Sequence, residues 1–313
     1  MRKHLLSRMG ETTKRIITGV LIAAAFIFTI TYQGAYMVFL YAFVLAAAII
    51  GVRELYKLAE AKIQQRISSR LAIASTVIML TLVYVGWQAQ YYVDGAPLFN
   101  ASVQKVLAIL KLNYAFLGGL LFVFLFFILF FQLLKNHVEN SFFIIGLFVL
   151  AVFYLPFTFS HLFLLYGLEN GLFYIWMVAW ATAMADTGGY FMGRAFGRHK
   201  VGFAVSPNKT YEGYILGGVL QNILVHIFYY IARTNFNVPQ YGVIEITLFG
   251  MIIYLASIVG DLAESLLKRD AGIKDSSHLI PGHGGVLDLL DAMLITIPAA
   301  YYYFYIVQEL HRL

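Results

Sequence analysis

Cysteine is absent from the 313 residues, which removes disulfides, thiolate metal sites and cysteine nucleophiles from consideration. Charge is scarce too: Asp, Glu, Lys and Arg make up 12% of the chain, against 61% hydrophobic and 17% aromatic residues. At a mean hydropathy of +0.77 there is too little polar surface to clothe a soluble globule of this size. No glycine-rich run ends in Gly-Lys-Ser/Thr, so a P-loop is excluded. A convincing internal repeat is lacking, as is any Pro- or Ser-rich linker that would mark a domain boundary.

What is present is a series of apolar runs close to the roughly 20 residues a helix needs to cross a bilayer, where a helix satisfies its own backbone hydrogen bonds. They fall near 16–31, 35–51, 71–89, 114–134, 141–160, 171–192, 211–232, 243–266 and 288–308. The sequence therefore predicts an all-α polytopic membrane protein of about nine transmembrane helices. The basic N-terminus enters the first run without a small-residue cleavage site, so that run is expected to stay as a helix. With the N-terminus placed inside, eighteen of the 22 Lys and Arg residues fall in cytoplasmic segments. Only Lys105, Lys111, Arg233 and Arg312 fall outside. That bias places the N-terminus in the cytoplasm and the C-terminus outside, and it accounts for the net charge of +6 without a nucleic-acid partner. The stretch 100–113 reads as an amphipathic surface helix with Val103, Val106, Leu107 and Leu110 on one face, and Asn100-Ala101-Ser102 fits a glycosylation sequon.

The acidic residues divide the chain. Before about 170 they lie mostly between apolar runs, as Glu54 and Glu60 do. After that they move into or against the runs: Asp186, Glu212, Asp261, Glu264, Asp288 and Asp291. Residues 1–170 are accordingly expected to be a transmembrane scaffold and 171–313 a transmembrane catalytic region. An ionisable group at the centre of a membrane helix costs at least about 2.5–3.5 kcal/mol on insertion scales, so a cluster of them implies a polar cavity with a task. The alternation of helices brings Asp186, Asp261 and the Asp288/Asp291 pair to one depth on the cytoplasmic side, beside the basic loops 193–210 and 267–287. Asp261, Ser265 and Lys268 share one helix face at i, i+4 and i+7, and Asp288 and Asp291 share another. Carboxylates beside cations under a glycine-rich loop suit a magnesium-bound polyphosphate: hard oxygens hold the metal, lysine and arginine take the remaining charge, and glycine lets backbone N–H groups approach.

Each feature also has a plainer reading. Asp288 and Asp291 suit any helix start, where negative charge offsets the dipole. Glu264 with Lys268 makes an ordinary i, i+4 pair. Gly188, Gly189 and Gly193 fit close helix packing in a membrane. His283 and His278 read as loop residues, His161 and His226 as structural ones, and Arg194, Arg198 and Lys200 double as topology determinants.

The stretch SLLKRDAGIKDSSHLIPGHGGVLDLLD, Ser265 to Asp291, resembles the signature of phosphatidate cytidylyltransferases. Eleven positions of its 27 residues match: Ser265, Lys268, Arg269, Lys274, Asp275, Pro281, His283, Gly284, Gly285, Asp288 and Asp291. Leu289 departs, standing where the family usually has arginine. A second stretch, ADTGGYFMGRAFGRHKVGFAVSPNKTYEG, is similar to the family's other block through Asp186, Gly193, Arg194, Gly197, Ser206, Pro207, Lys209, Thr210, Glu212 and Gly213. There Asn208 replaces a common lysine. Lys14 to Gly19, KRIITG, also looks familial.

The resemblance implies that CTP and phosphatidate give CDP-diacylglycerol and pyrophosphate with Mg²⁺, and it admits a second cation and a homodimer. It implies metal-holding roles for Asp261 and Asp288, catalytic roles for these with Lys268, Arg269 and Asp291, and substrate contacts from Asp186, Arg194, Ser206, Lys209, Thr210, Glu212, Ser265, Lys274, Asp275, His283, Gly284 and Gly285. A bacterial cytoplasmic membrane, with the site facing the cytoplasm, is the expected location. Two rivals stand beside this reading. One is a related CTP-dependent enzyme acting on a polyprenol or ether lipid. The other is an ion-coupled transporter, against which the acids gather at one depth and no broken-helix pair recurs.

Overall fold

The computed structural model describes residues 11–31, 37–91, 114–135 and 138–313. The surface helix, the sequon and the lysines expected at 100–113 lie outside these residues. Among the described residues the extended elements are all helices and there is no strand: α1 (Glu11–Thr31), α2 (Val38–Ile63), α3 (Arg70–Tyr91), α4 (Tyr114–Lys135), α5 (Ser141–Val152), α6 (Thr158–Tyr166), α7 (Gly171–Phe196), α8 (Tyr211–Asn235), α9 (Val243–Asp270) and α10 (Val286–Arg312). A π-helical turn, Phe153–Phe157, joins α5 to α6 as one rod, so these segments make nine rods among the described residues. The turn contains Pro156, which lacks an N–H and interrupts the α ladder. Thr158 Oγ1 donates to the carbonyls of Tyr154 and Leu155 at 2.7 and 2.9 Å across the widened turn.

Among the described residues seven helices are long and apolar enough to cross a bilayer: α2, α3, α4, the α5–α6 rod, α8, α9 and α10. The exposed faces explain what surrounds them. Ile215, Val219, Ile223, Ile227 and Ile231 form an exposed stripe at i+4 spacing on α8, and Phe122, Phe126, Phe130 and Leu134 do the same on α4. Apolar faces this long mark contact with lipid in a multi-pass integral membrane protein.

The chain divides into two compact units that are not consecutive in sequence. The first comprises the described residues up to Ser160 with Asp270–Leu289. Its core holds Leu40, Leu55, Met79, Leu80, Leu117, Phe148 and Leu155, all buried. Tyr41 stacks on Tyr84 at 4.5 Å and its hydroxyl meets that of Thr81 at 2.6 Å, fastening α2 to α3. The second unit comprises His161–Arg269 and Leu290–Leu313. Here α7 and α8 lie against each other, and a Cβ on Gly188 would stand 2.8 Å from the Gly217 carbonyl, so only glycine allows the approach. Tyr174 stacks on Phe304 at 4.0 Å and meets the Tyr241 hydroxyl at 2.6 Å, while Thr182 Oγ1 donates to Thr296 Oγ1 at 2.9 Å.

Candidate active site

In the second unit three elements each deliver one aspartate to a common neighbourhood: α7 carries Asp186, α9 carries Asp261 and the start of α10 carries Asp291. Asp186 feels the charges of Asp261 and Lys209, and Asp291 those of Asp261, Asp186 and Lys268. The crossing of α9 and α10 makes this closeness possible, because a Cβ on Gly260 would lie 2.5 Å from the Asp291 carbonyl. Ser257, one turn before Asp261, donates from Oγ to Asp186 Oδ1 at 3.3 Å.

The cation of this cluster comes from a loop. Between α7 and α8 the chain doubles back through a bridge between Lys200 and Thr210, with Val201 N donating to the Lys209 carbonyl at 3.0 Å. Thr210 caps α8, its Oγ1 accepting from Gly213 N at 3.2 Å. Glu212 in the first turn of α8 accepts from the backbone of Arg198 and His199 at 3.0 and 3.1 Å, which ties the loop to the helix. So held, Lys209 places Nζ 2.8 Å from Asp261 Oδ2 and 5.9 Å from the centre of the Tyr214 ring. Burial pushes its pKa down, but Asp261, Tyr214 and Asp186 push it up by more, leaving it above the ordinary lysine value and charged at neutral pH. Lys268 pairs with the fully buried Glu264 one turn before it. Counting Glu264, this cluster thus offers four carboxylates beside two lysines, a surplus of negative charge suited to a further cation. Among the described residues no set of three or more His, Asp or Glu side chains stands ready to ligate a metal by itself.

The first unit holds Asp288 and the glycine-rich loop. Asp288 Oδ2 accepts from Ser276 N at 2.8 Å, Ser276 Oγ at 2.7 Å and Gly285 N at 2.8 Å. Gly284 has a φ of +94°, and a Cβ on Gly285 would stand 2.0 Å from Ser276 Oγ, so the paired glycines are what the loop's path requires. His283 Nδ1 lies 3.1 Å from Thr18 Oγ1, which also donates to the Pro281 carbonyl at 3.0 Å. These contacts give the KRIITG stretch of α1 a place on the loop.

Of the residues singled out in the sequence, Asp186, Lys209, Asp261, Lys268 and Asp291 gather in the second unit, and His283, Gly284, Gly285 and Asp288 build the loop of the first. Glu212 and Thr210 secure backbone, and Ser206 N closes a turn onto the Phe203 carbonyl at 3.1 Å. Arg194 donates to the Tyr190 hydroxyl at 3.2 Å, and Arg269, Lys274 and Asp275 are exposed. Ser257 and Glu54 escaped the sequence reading. Extending the i, i+4 stripe of Asp261 and Ser265 back one turn reaches Ser257. Glu54 left no comparable signal, since its partners lie over 220 residues away.

Comparison with known proteins places the sequence in a family. The sequence pattern described as the cytidylyltransferase family covers residues 13–307. The chain is similar to the phosphatidate cytidylyltransferase of Bacillus subtilis, 31% identical over 299 residues, which is 94% of this chain and 98% of that protein. It is 41% identical to that of Haemophilus influenzae over 142 residues, 44% of this chain and 48% of the relative, so that match spans about half the relative's length. With that of Synechocystis sp. it shares 45% identity over 123 residues, 38% of this chain and 39% of the relative. Matched over residues 13–307, the chain belongs to the cytidylyltransferase family.

Proposed function

We propose that this membrane protein joins CTP to phosphatidate, the lipid phosphate attacking the α-phosphate of CTP to give CDP-diacylglycerol and pyrophosphate. The observation that carries the proposal is the cluster of Asp186, Asp261 and Asp291 around Lys209. The attacking group is a phosphate monoester with a second pKa near 6. It is already largely ionised at neutral pH, and no general base is needed, in keeping with a site that offers acids and lysines and no nucleophile with a paired base. What the protein must do is align two anions and screen their repulsion. Lys209, held to Asp261 and charged at neutral pH, is suited to meet a nucleotide phosphate, and Lys268 adds a second positive charge to the same neighbourhood.

The donor set suits Mg²⁺: it is all oxygen, acid-rich and only partly exposed. Mg²⁺ in nucleotide enzymes rests on one or two carboxylates with substrate phosphates completing the shell, so a three-acid protein cage is not required. Asp261 would hold it, with Asp186 and Asp291 adding negative charge beside it, and the family resemblance assigns Asp288 the same role. Bound there, the ion would neutralise charge on the α-phosphate and the departing pyrophosphate. The excess of lysine and arginine in loops such as 193–210 supports a cytoplasmic site in a nine-helix arrangement with the N-terminus inside and the C-terminus outside.

The test is incubation of the purified protein with Mg²⁺, phosphatidate and CTP labelled in either the α- or the γ-phosphate. Label from the α-position should enter the lipid phase and label from the γ-position should leave as pyrophosphate, with EDTA abolishing both. Transfer of the γ-label to a polyprenol would overturn the proposal in favour of a kinase. No labelled lipid from any acceptor would turn attention to ion transport.

A further inference from the structure

Glu54 is an acid in the apolar scaffold half of the chain, buried to 3% exposure on α2. Both of its carboxylate oxygens face the segment that carries Asp288. Oε1 accepts from Ser277 Oγ at 2.5 Å and Val286 N at 3.2 Å, and Oε2 from Leu287 N at 2.8 Å and Ser276 Oγ at 3.3 Å. Val286 and Leu287 open α10, so their N–H groups have no partner within the helix. A residue from another helix thus supplies the cap that α10 does not supply for itself, and it does so with a negative charge at the positive end of the dipole.

The same hydroxyl links this cap to Asp288. Ser276 Oγ stands 3.3 Å from Glu54 Oε2 and 2.7 Å from Asp288 Oδ2, so its one proton is held chiefly by Asp288 while Glu54 fixes where the oxygen sits. Asp288 Oδ2 is further held by the N–H groups of Ser276 and Gly285. Gly285 lies between the two acids, and a Cβ there would stand 2.6 Å from Glu54 Oε2. The need for glycine at 285 therefore arises from Glu54 and Ser276 together.

We propose that Glu54 is a positioning residue: it never touches substrate, but it sets the glycine-rich loop and the first turn of α10 so that Asp288 is presented in one orientation. This rests on the reading of Asp288 as part of a cytidylyltransferase site. Burying an acid among apolar helices is costly unless its oxygens are hydrogen-bonded, and here three donors serve Glu54 outright, with the Ser276 hydroxyl a longer fourth contact. A precisely placed acid at the reacting centre needs such support, and removing a supporting contact in comparable sites costs about 10- to 100-fold in activity or ion affinity.

The discriminating variant is Glu54→Gln, which keeps the shape but turns one acceptor into a donor facing donors. Two measurements are made on the full-length protein in lipid micelles. The first is hydrogen exchange, independent of turnover: exchange at Ser276, Gly285, Val286 and Leu287 should rise while α7, α8 and α9 keep wild-type protection. The second is turnover of CTP with phosphatidate, where kcat per folded molecule should fall about 10- to 100-fold with KM for both substrates within about twofold. Ser276→Ala should lower kcat in the same direction, and the double variant should be no worse than the poorer single one, because both act through Asp288. Wild-type kcat in Glu54→Gln, or a loss that only follows the folded fraction, would overturn the proposal. If the wild-type protein makes no CDP-diacylglycerol, the assigned reaction fails by itself, and unchanged exchange at the four amides then overturns the role of Glu54 separately.

Discussion

At the scale of single residues, Asp261 is the acid with the most at stake, because it lies next to Asp186 and Asp291 and also carries the Lys209 ion pair. Asp261→Asn keeps the volume and removes the charge, so turnover should drop on the order of 10³-fold while the protein still inserts and purifies. Asp288→Asn should do the same, and its amide would also place a donor against the N–H groups of Ser276 and Gly285. Normal turnover in both variants would remove the metal assignment, and radiolabel transfer from CTP is the measurement. Lys209 offers a test by pH. A raised lysine pKa means its charge is fully present below the ordinary value near 10.4 and is lost only as pH climbs through the raised one. Lys209→Arg should therefore share the wild-type pH profile through the neutral and mildly alkaline range. Lys209→Ala should lose about 10²-fold in kcat/KM for CTP at every pH. Leu289, half-buried on the first turns of α10, stands where the family resemblance implies arginine, and Leu289→Arg should be neutral or activating in the same assay. Much of this cluster is legible in sequence, since charged residues in apolar runs are rare enough to be counted one by one. The pairing of Lys209 with Asp261 is not, because 52 residues separate them and a loop fold alone brings them to 2.8 Å.

At the scale of helices, hydropathy reads the bilayer and not the helix. The apolar run 35–51 gives way to polar residues at Arg53 and Glu54, yet α2 continues to Ile63. The continuation RELYKLAEAKI is rich in Leu, Ala, Glu and Lys, all good helix formers, and it buries Leu55, Tyr56, Leu58 and Ala59. That extension is what puts Glu54 inside a helix, where its side chain can be buried; a reading that ends the helix at 51 leaves Glu54 in a linker. Helix crossings are equally hidden from sequence. Gly260 and Gly189 look alike there, but a Cβ on Gly260 would meet the Asp291 carbonyl at 2.5 Å, whereas Gly189 has open space. Gly260→Ala should force α9 and α10 apart beside Asp261 and Asp291, costing about 1–3 kcal/mol of stability and more turnover than the folded fraction accounts for. Gly189→Ala should be neutral or mildly stabilising through helix propensity. Thermal unfolding in detergent, paired with turnover per folded molecule, separates the two outcomes.

At the scale of the whole molecule, the count of helical rods follows from composition, but the grouping of the chain does not. Residues 270–289 group with the described residues up to Ser160 and not with their sequence neighbours, because Glu54 and Thr18 hold that loop by side-chain hydrogen bonds that no hydropathy pattern encodes. α7 is absent from the seven helices apolar enough to span, since Asp186 and its Trp, Tyr and Thr residues dilute its hydropathy, and it is the helix that delivers Asp186. Whether α7 spans is therefore tied to which side the acids face. The expected orientation assumes that it spans: with α7 crossing, the loop 193–210 would be cytoplasmic and the short loop after α8 outside. The lack of cysteine makes this directly measurable, because any introduced thiol is the sole one. Asn237→Cys, in the exposed segment between α8 and α9, should react with a membrane-impermeant maleimide on intact cells. Lys200→Cys, exposed in the loop between α7 and α8, should react only after permeabilisation. The reverse pattern would place Lys209 and the aspartates on the outer face, away from the CTP of the cytoplasm. Equal labelling of both from outside would mean that α8 does not cross the membrane, and the shared depth of Asp186, Asp261 and Asp291 would then need an explanation other than a nucleotide site.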